Sequence, residues 1–298
     1  MLRKNFSTSL GTIVCLAVFA PVAALADETS TAKDKASSNE PLAAILAAQP
    51  AKIKERYPAR HPLETLNFCE VKKGDTIIET LPGRGWYSGI LYPYLGESGK
   101  LIGAVYPRKI FDLIGLDKEI VERITSRYAK WPETTAKASV AKGGGIELIT
   151  MTKMPERYNG TVDNVLFIRS LHNLSRVNKG TGYLETSLAE AFRSLKPGGI
   201  VCVVQHRAQE PASDSWADGN NGYLKQSRVI EAFKAAGFKF VEAREINANP
   251  KDRPSEGEYV WRLPPTLRGS EENTPNWRKY TEIGESDRMT LKFVKPKQ

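Results

Sequence analysis

Cysteine and histidine are scarce in this chain, with three of each among 298 residues. Cys15 lies in an N-terminal apolar run, so a processed chain keeps Cys69 and Cys202, whose spacing matches no metal-ligand pattern. We therefore expect no metal site. A bridge between Cys69 and Cys202 would need the fold to bring them together, and we do not expect one because they fall at different predicted strands.

Extremes of composition are absent too. The chain is 41% apolar and 26% charged, which excludes a disordered, collagenous or polytopic membrane protein. Lysine and arginine exceed aspartate and glutamate by 43 to 34, but the basic residues alternate with acidic and apolar ones instead of clustering. We expect a small molecule as substrate or ligand and no nucleic-acid partner. The sequence does not indicate an oligomeric state.

The first 26 residues have the pattern of an export signal. Two basic residues precede an apolar run over 10–20, and Ala24-Leu25-Ala26 offers the small-x-small site at which such signals are cleaved. The alternative is an uncleaved membrane anchor, but the run is barely long enough to span a bilayer and Pro21 interrupts it. We expect cleavage near Ala26-Asp27 and a periplasmic or secreted protein with no stable membrane anchor.

The mature chain is predicted to have three parts. Residues 27–40 lack large apolar side chains and are expected to form a flexible leader. Residues 41–66 carry apolar residues at helical spacing, broken at Pro50, and predict an N-terminal helical extension. Residues 67–298 alternate short apolar runs with helical segments, which indicates one α/β domain.

Within the α/β domain, the apolar runs are of the kind that a parallel sheet buries on both faces. The predicted strands are 76–81, 101–106, 146–150, 165–169, 200–205, 238–246 and 289–294, and the predicted helices are 87–95, 109–130, 182–195 and 223–236. This order predicts a Rossmann-like, doubly wound sheet of seven strands, mostly parallel.

The last two predicted strands have no crossover helix between them, so we expect them to pair as an antiparallel C-terminal hairpin. Residues 247–288 form the long connection, in which no helix is predicted. An insertion of this length is either a lid over a ligand cleft or a surface excursion.

Ligands of open α/β sheets bind beyond the carboxyl ends of the strands. At the end of the first strand the sequence runs Glu79-Thr80-Leu81-Pro82-Gly83-Arg84-Gly85-Trp86-Tyr87. Gly83 and Gly85 lack side chains where a ligand must pass closely, and the helix that follows presents free N–H groups. We predict a binding loop here, although Pro-Gly-x-Gly also occurs as a purely structural turn.

At these residues the chain resembles the class I S-adenosylmethionine-dependent methyltransferases, in particular a group of exported predicted methyltransferases of Gram-negative bacteria. Glu79, Gly83 and Gly85 match the family's first motif, while Leu81 stands where its first glycine is usual. The resemblance spans roughly 41–297. The stretches that carry it are 60–66, 79–87, 172–173, 195–199, 206–208, 235–238 and 286–288.

The resemblance implies S-adenosylmethionine as cofactor. It assigns cofactor contacts to Glu79, Leu81, Pro82, Gly83, Gly85, Trp86 and Tyr106. The acidic residues with which such proteins commonly hold ribose and adenine are missing after the second and third strands, at 106–108 and 150–153. Arg84, Arg108 and Lys153 place positive charge around the expected cleft instead, which suits an anionic ligand.

Polar residues follow the fourth and fifth predicted strands. His172 and His206 are the catalytic candidates, because an imidazole titrates near working pH and can take a proton from an attacking atom. Histidines at strand ends are also common as hydrogen-bonded structural residues. The candidates for substrate binding are Arg169, Asn173 and Arg207.

The leading hypothesis is an exported S-adenosylmethionine-dependent methyltransferase with an unknown acceptor. The alternative is a non-catalytic or repurposed periplasmic protein of the same fold that binds an anionic small molecule. An NADP-dependent oxidoreductase is a weaker alternative, suggested by Arg108, which stands where an arginine can receive the 2′-phosphate.

Overall fold

The computed structural model describes residues 40–297. The predicted export signal, and all but the last residue of the predicted leader, lie outside the described residues. Within residues 40–297, no helix combines the length and the apolar character that crossing a bilayer requires.

A twisted sheet forms the centre of the described chain. Its strands are β1 (Thr76–Thr80), β2 (Lys100–Val105), β3 (Gly145–Thr150), β4 (Val162–Ile168), β5 (Leu195–Ala208), β6 (Leu224–Lys225), β7 (Lys239–Arg244) and β8 (Arg288–Val294). The order across the sheet is β3-β2-β1-β4-β5-β8-β7, and the short β6 pairs with the end of β5. Only β8 runs antiparallel to its neighbours among these pairings. This architecture confirms the predicted Rossmann-like sheet of seven strands with its antiparallel C-terminal hairpin.

Helices cover both faces of the sheet. They are α1 (40–48), α2 (Ala51–Lys54), α3 (Tyr57–Arg60), α4 (Pro62–Phe68), α5 (Ser88–Leu95), α6 (Arg108–Leu113), α7 (Lys118–Ala129), α8 (Trp131–Lys137), α9 (Leu171–Val177), α10 (Tyr183–Ser194), α11 (Gln226–Ala235) and α12 (Pro275–Ile283). Two short 3₁₀ helices span Glu156–Tyr158 and Val260–Arg262.

Alternation along each central strand divides the core into two layers. Ile78 and Val165 belong to one apolar cluster, while their neighbours Ile77 and Leu166 belong to the cluster on the opposite face. Because both faces are covered, the strands read as continuous apolar runs, and this is why they could be predicted from the sequence.

Three helical predictions need correction. The single helix expected over 109–130 is divided into α6 and α7 by Gly115, which adopts a φ of 74° that ends α6. The structure adds α9 directly after β4. It also places α12 inside the 247–288 connection, where Thr274 accepts a hydrogen bond from the Trp277 amide and a proline opens the first turn.

The expectation that Cys69 and Cys202 stay apart is wrong. They form a disulfide with a Cα–Cα distance of 5.4 Å across 133 residues of sequence. Cys69 is not on a strand: it ends α4, which packs on the sheet face towards which Cys202 points, and both side chains are buried in the same cluster. The bridge therefore ties the N-terminal helices to the middle of β5.

Candidate functional site

Two adjoining cavities lie beyond the carboxyl ends of β1, β4 and β5. Their volumes are about 550 Å³ and about 280 Å³. They form one cleft, since they share the lining residues Leu81, Gly83, Ile168, Arg169, Pro265 and Thr266. Strand order reverses between β1 and β4, so the cleft occupies the switch point at which open α/β sheets bind ligands.

The turn after β1 borders both cavities. Leu81 adopts a left-handed φ of 51°, a conformation that costs a side-chain-bearing residue roughly 1–2 kcal/mol. Gly83 has a φ of 61°, and a Cβ placed there would meet only the Leu81 carbonyl oxygen, at 3.7 Å. The space beside Gly83 is therefore open to a ligand. Gly85 lies behind the turn and lines neither cavity.

Glu79, the last acidic residue of β1, is only 3% exposed. Its Oε2 accepts a hydrogen bond from Ser88 Oγ at 2.6 Å, and Trp131 Nε1 donates to the same hydroxyl. Burial raises the pKa of Glu79 to about 7, although Ser88 and Arg169 act against the shift. The carboxyl is therefore partly protonated at neutral pH and adds less than one negative charge to the cleft.

A buried ion cluster closes one side of the cleft. The Glu285 carboxylate pairs with Arg60 at 3.0 Å, with Arg288 at 3.2 Å and with Arg56 at 3.3 Å. Burial alone would raise the pKa of Glu285, but Arg60 and Arg288 outweigh it and lower the pKa. One carboxylate thus faces three guanidinium groups, which leaves positive charge at the cleft wall.

Arg169, at the end of β4, lines both cavities. Its backbone is left-handed, with a φ of 54°. Burial and the nearby Arg60 lower the pKa of its guanidinium to about 9. Among residues 40–297, neither Glu79 nor Glu285 approaches within ion-pairing distance of Arg169, although both act on it electrostatically.

The two predicted catalytic histidines lie together in the smaller cavity, with ring centroids 5.6 Å apart. His206 Nδ1 is 2.6 Å from Ser286 Oγ, while His172 lies edge-on to Trp261. Burial lowers the pKa of His172 to about 4, and burial together with His172 lowers that of His206 well below its usual value. Both rings are therefore neutral at neutral pH.

The 247–288 connection supplies the roof of the smaller cavity. Lining residues from this segment are Val260, Trp261, Leu263, Pro264, Pro265, Thr266, Glu285 and Ser286. Of the two alternatives left open by its length, the structure therefore has the segment covering the cleft.

The other sequence-predicted site residues divide into two groups. Pro82 and Trp86 line the larger cavity and Asn173 lines the smaller one. Tyr106 and Arg207 line neither. The ring of Tyr106 is buried in the core and its hydroxyl donates to the Ser170 carbonyl oxygen, while Arg207 is held by Asp287 and Glu245.

The basic residues noted after the first three strands also diverge. Arg84 lines the larger cavity, Lys153 lines a separate surface depression, and Arg108 lines neither part of the cleft. The residues directly after β2 (106–108) and β3 (151–153) border neither cavity. The cleft is consequently built from the ends of β1, β4 and β5, from the N-terminal helices and from the 247–288 connection.

Sequence reasoning missed Arg60, Glu285, Ser286 and Trp261 as site residues. A signal was present for two of them, Arg60 and Ser286, because 60–66 and 286–288 are among the stretches that carry the family resemblance. Arg60 and Glu285 are 225 residues apart, so no local pattern indicated that they pair. Among the described residues, no group of histidine, cysteine, aspartate and glutamate has an arrangement that could hold a metal ion.

No family model matches the chain, and no curated protein matches it. Its fold is similar to solved methyltransferases. One is an S-adenosylmethionine-dependent methyltransferase from Aquifex aeolicus, with 15% identity, a TM-score of 0.46, and coverage of 83% of this chain and 98% of that one. A second is the geranyl diphosphate C-methyltransferase from Streptomyces coelicolor, with 12% identity, a TM-score of 0.48, and coverage of 79% and 76%.

A third is an arsenic(III) S-adenosylmethionine methyltransferase from Chlamydomonas reinhardtii, with 16% identity, a TM-score of 0.44, and coverage of 86% and 73%. At these identities and TM-scores the similarities assign no activity to the chain, and function has to be argued from the cleft.

Proposed function

We propose that this protein is an exported S-adenosylmethionine-dependent methyltransferase whose acceptor binds beside the cofactor in the cleft described above. The observation that carries the proposal is the open space at Gly83, in a cavity that adjoins, at Arg169, a second cavity lined by two neutral histidines. A single ligand-accessible cleft of this kind can hold a donor and an acceptor next to each other.

The residues of the cleft suit one end of the cofactor. Gly83 leaves room for the methionine part, and Arg60 and Arg169 are close enough to the larger cavity to meet its carboxylate. No carboxylate at the ends of β2 and β3 is available to bind the ribose and adenine, because the residues directly after these strands border neither cavity. When bound, this cofactor supplies a methyl group activated by a sulfonium.

The chain's own residues would act on the acceptor. His206 is neutral, and in the tautomer whose Nδ1–H donates to Ser286 Oγ its Nε2 is free to take a proton from an attacking oxygen or nitrogen. Burial is the main cause of the lowered pKa of His206, and Arg169 adds to it; an anionic acceptor placed near Arg169 would offset the guanidinium's share and make the imidazole a stronger base.

A second candidate is a non-catalytic protein of the same fold that binds an anionic small molecule. The specific observation in its favour is the positive charge around Glu285 together with the lack of acidic residues from β2 and β3 in the cleft. The NADP-dependent alternative has no comparable support, since Arg108 lies outside both cavities.

The disulfide supports the proposal of export. Disulfides between buried cysteines form and persist in oxidising compartments such as the periplasm and are rare in the cytosol. Cleavage of the first 26 residues remains a prediction, which mass spectrometry of the protein recovered from the periplasmic fraction of the producing cell would test.

Binding assays separate the three functions. The full chain is titrated with S-adenosylmethionine, S-adenosylhomocysteine, NADP⁺ and inorganic phosphate in parallel. A methyltransferase should bind the first two, a binding protein should respond only to the anion, and an oxidoreductase should prefer NADP⁺. Binding of NADP⁺ alone would contradict both leading candidates.

A further inference from the structure

Arg169 differs from the three arginines that pair with Glu285, and also from Arg84, which lines the larger cavity but is exposed to solvent. Arg60, Arg288 and Arg56 each pair with Glu285 at 3.0–3.3 Å. Arg169 lines both cavities, yet within the part of the chain that the structure describes it has no ion pair and no side-chain hydrogen bond. Arg169 is half-buried, and a guanidinium that is partly removed from water without a partner costs free energy, which an arriving anion would offset.

The backbone conformation of Arg169 also supports a ligand site. Its φ of 54° is unfavourable for a side-chain-bearing residue. Leu81, which lines the same two cavities at the end of the neighbouring strand, has the same kind of conformation at 51°. Both residues directly follow a central strand. Strained residues of this kind cluster where a ligand is held, because the fold must overcome the strain to present the side chain.

The smaller cavity sets the character of the rest of the ligand. At about 280 Å³ it accommodates only a small molecule. The lining includes the apolar side chains of Trp261, Leu263 and Pro265 and the polar side chains of His206 and Ser286. A ligand with one anionic end and a compact, largely apolar body matches this lining.

We propose that Arg169 binds the carboxylate or phosphate of a small organic anion whose body lies in the smaller cavity against Trp261. The inference rests on the cleft of the proposed function and deepens it by naming the class of acceptor. Arginine suits this role because its planar fork donates two parallel hydrogen bonds to an oxyanion.

The oxyanion has two sources that the structure treats alike: a separate small molecule, or the methionine carboxylate of the cofactor. The inference commits to the separate molecule, because Arg60 also borders the larger cavity, beside Gly83, and can serve the cofactor. The experiment therefore includes both kinds of ligand.

The test uses benzoate and its uncharged counterpart benzamide, with acetate, inorganic phosphate and S-adenosylhomocysteine alongside, on the full chain. Affinities are measured by calorimetry and by ligand-induced shifts of Tm. Arg169→Asn removes the charge while retaining a residue that tolerates left-handed backbone, and Arg169→Lys keeps the charge without the fork. Arg123→Gln on the exposed face of α7 is the matched control for net charge.

We expect the wild type to bind benzoate more tightly than benzamide. Arg169→Asn should lower the affinity for benzoate by about 10- to 100-fold, and the affinity of Arg169→Lys should lie between those of the wild type and Arg169→Asn. Arg123→Gln should match the wild type. Without ligand, the Tm of Arg169→Asn should equal or exceed that of the wild type, because an unpaired charge has been removed. A fall in that Tm would show a structural partner for Arg169 and contradict the inference.

Equal binding of benzoate and benzamide would overturn the proposal, as would the absence of binding by every anion tested. Loss of S-adenosylhomocysteine binding in Arg169→Asn, with anion binding unchanged, would assign the guanidinium to the cofactor and also overturn it. Anion binding that depends on Arg169 in a protein that never binds S-adenosylhomocysteine would uphold the inference and refute the methyltransferase.

Discussion

Replacing both bridged cysteines by alanine should destabilise the protein strongly. The disulfide closes a loop of 133 residues, and the chain-entropy relation for a loop of that length gives about 5 kcal/mol. Measured effects of single disulfides are commonly smaller, so we expect a loss of about 3–5 kcal/mol in the free energy of unfolding. For a domain of this size such a loss lowers the Tm by roughly 6–20 °C.

The assay is urea unfolding followed by circular dichroism, with and without a phosphine reductant. Reductant should lower the unfolding midpoint of the wild type and leave that of Cys69→Ala/Cys202→Ala unchanged, so the double variant serves as the control. Thiol titration of the unreduced full chain in denaturant should detect only Cys15. Detection of all three thiols, or equal stability of wild type and variant, would refute the reasoning and remove the argument for an oxidising compartment.

Three further substitutions test the electrostatics of the cleft by urea unfolding. The folded-state pKa of Glu79 is raised from 4.5 to about 7, so its contribution to stability is present below pH 4.5 and is lost as pH rises to 7. Between pH 4.5 and pH 8, Glu79→Gln should therefore gain about 3 kcal/mol in free energy of unfolding relative to the wild type, and parallel pH profiles would contradict this. The folded-state pKa of His172 is lowered from 6.5 to about 4, so its contribution to stability is present above pH 6.5 and is lost as pH falls to 4. Over that interval the free energy of unfolding of His172→Gln should fall by about 3 kcal/mol less than that of the wild type, and an equal fall would refute the shift. Glu285→Gln leaves Arg60 and Arg288 without their carboxylate and should cost about 3–5 kcal/mol at pH 7, whereas a loss below about 1 kcal/mol would mean that the cluster is solvated.

The central sheet could be predicted because its determinants are local. Strands such as β1 and β4 are buried on both faces, and each therefore appears in the sequence as a short segment whose centre is apolar on both faces. The glycine at 115 that divides α6 from α7 was also visible, but a single glycine is tolerated inside many helices and so did not end the predicted one. The helix α12 is as amphipathic as α10 and α11, but it is mostly polar and buries none of its residues, so it was missed within the proline-rich connection.

The site was accessible to sequence reasoning only where strand ends determine it. Five candidate residues lie at or shortly after the ends of predicted strands, and the structure brings them to one cleft: Glu79, Gly83, Arg169, His172 and His206. Long-range partners were not accessible in this way. Arg207, a predicted substrate residue, pairs instead with Asp287 and Glu245, which are far from it in sequence. Arg60 likewise pairs with the distant Glu285.

Tyr106 illustrates the same limit on the opposite side of the sheet. Its position after β2 suggested a cofactor contact, but its side chain is only 3% exposed and packs with Phe111. An aromatic ring gains more free energy from burial in the core than from a solvated strand end, and its hydroxyl finds a backbone acceptor there. The cleft therefore ends at β1 rather than extending to β2.

Calorimetric titration of S-adenosylhomocysteine into wild type, Gly83→Arg and Gly160→Arg tests the central claim most directly. The two glycines have φ values of 61° and 63°, and neither Cβ would meet a side chain, but only Gly83 lines the cleft. The account predicts micromolar binding to the wild type and to Gly160→Arg, and none to Gly83→Arg. No heat at millimolar ligand from folded wild type, or equal binding by all three proteins, would contradict a cofactor site at this turn.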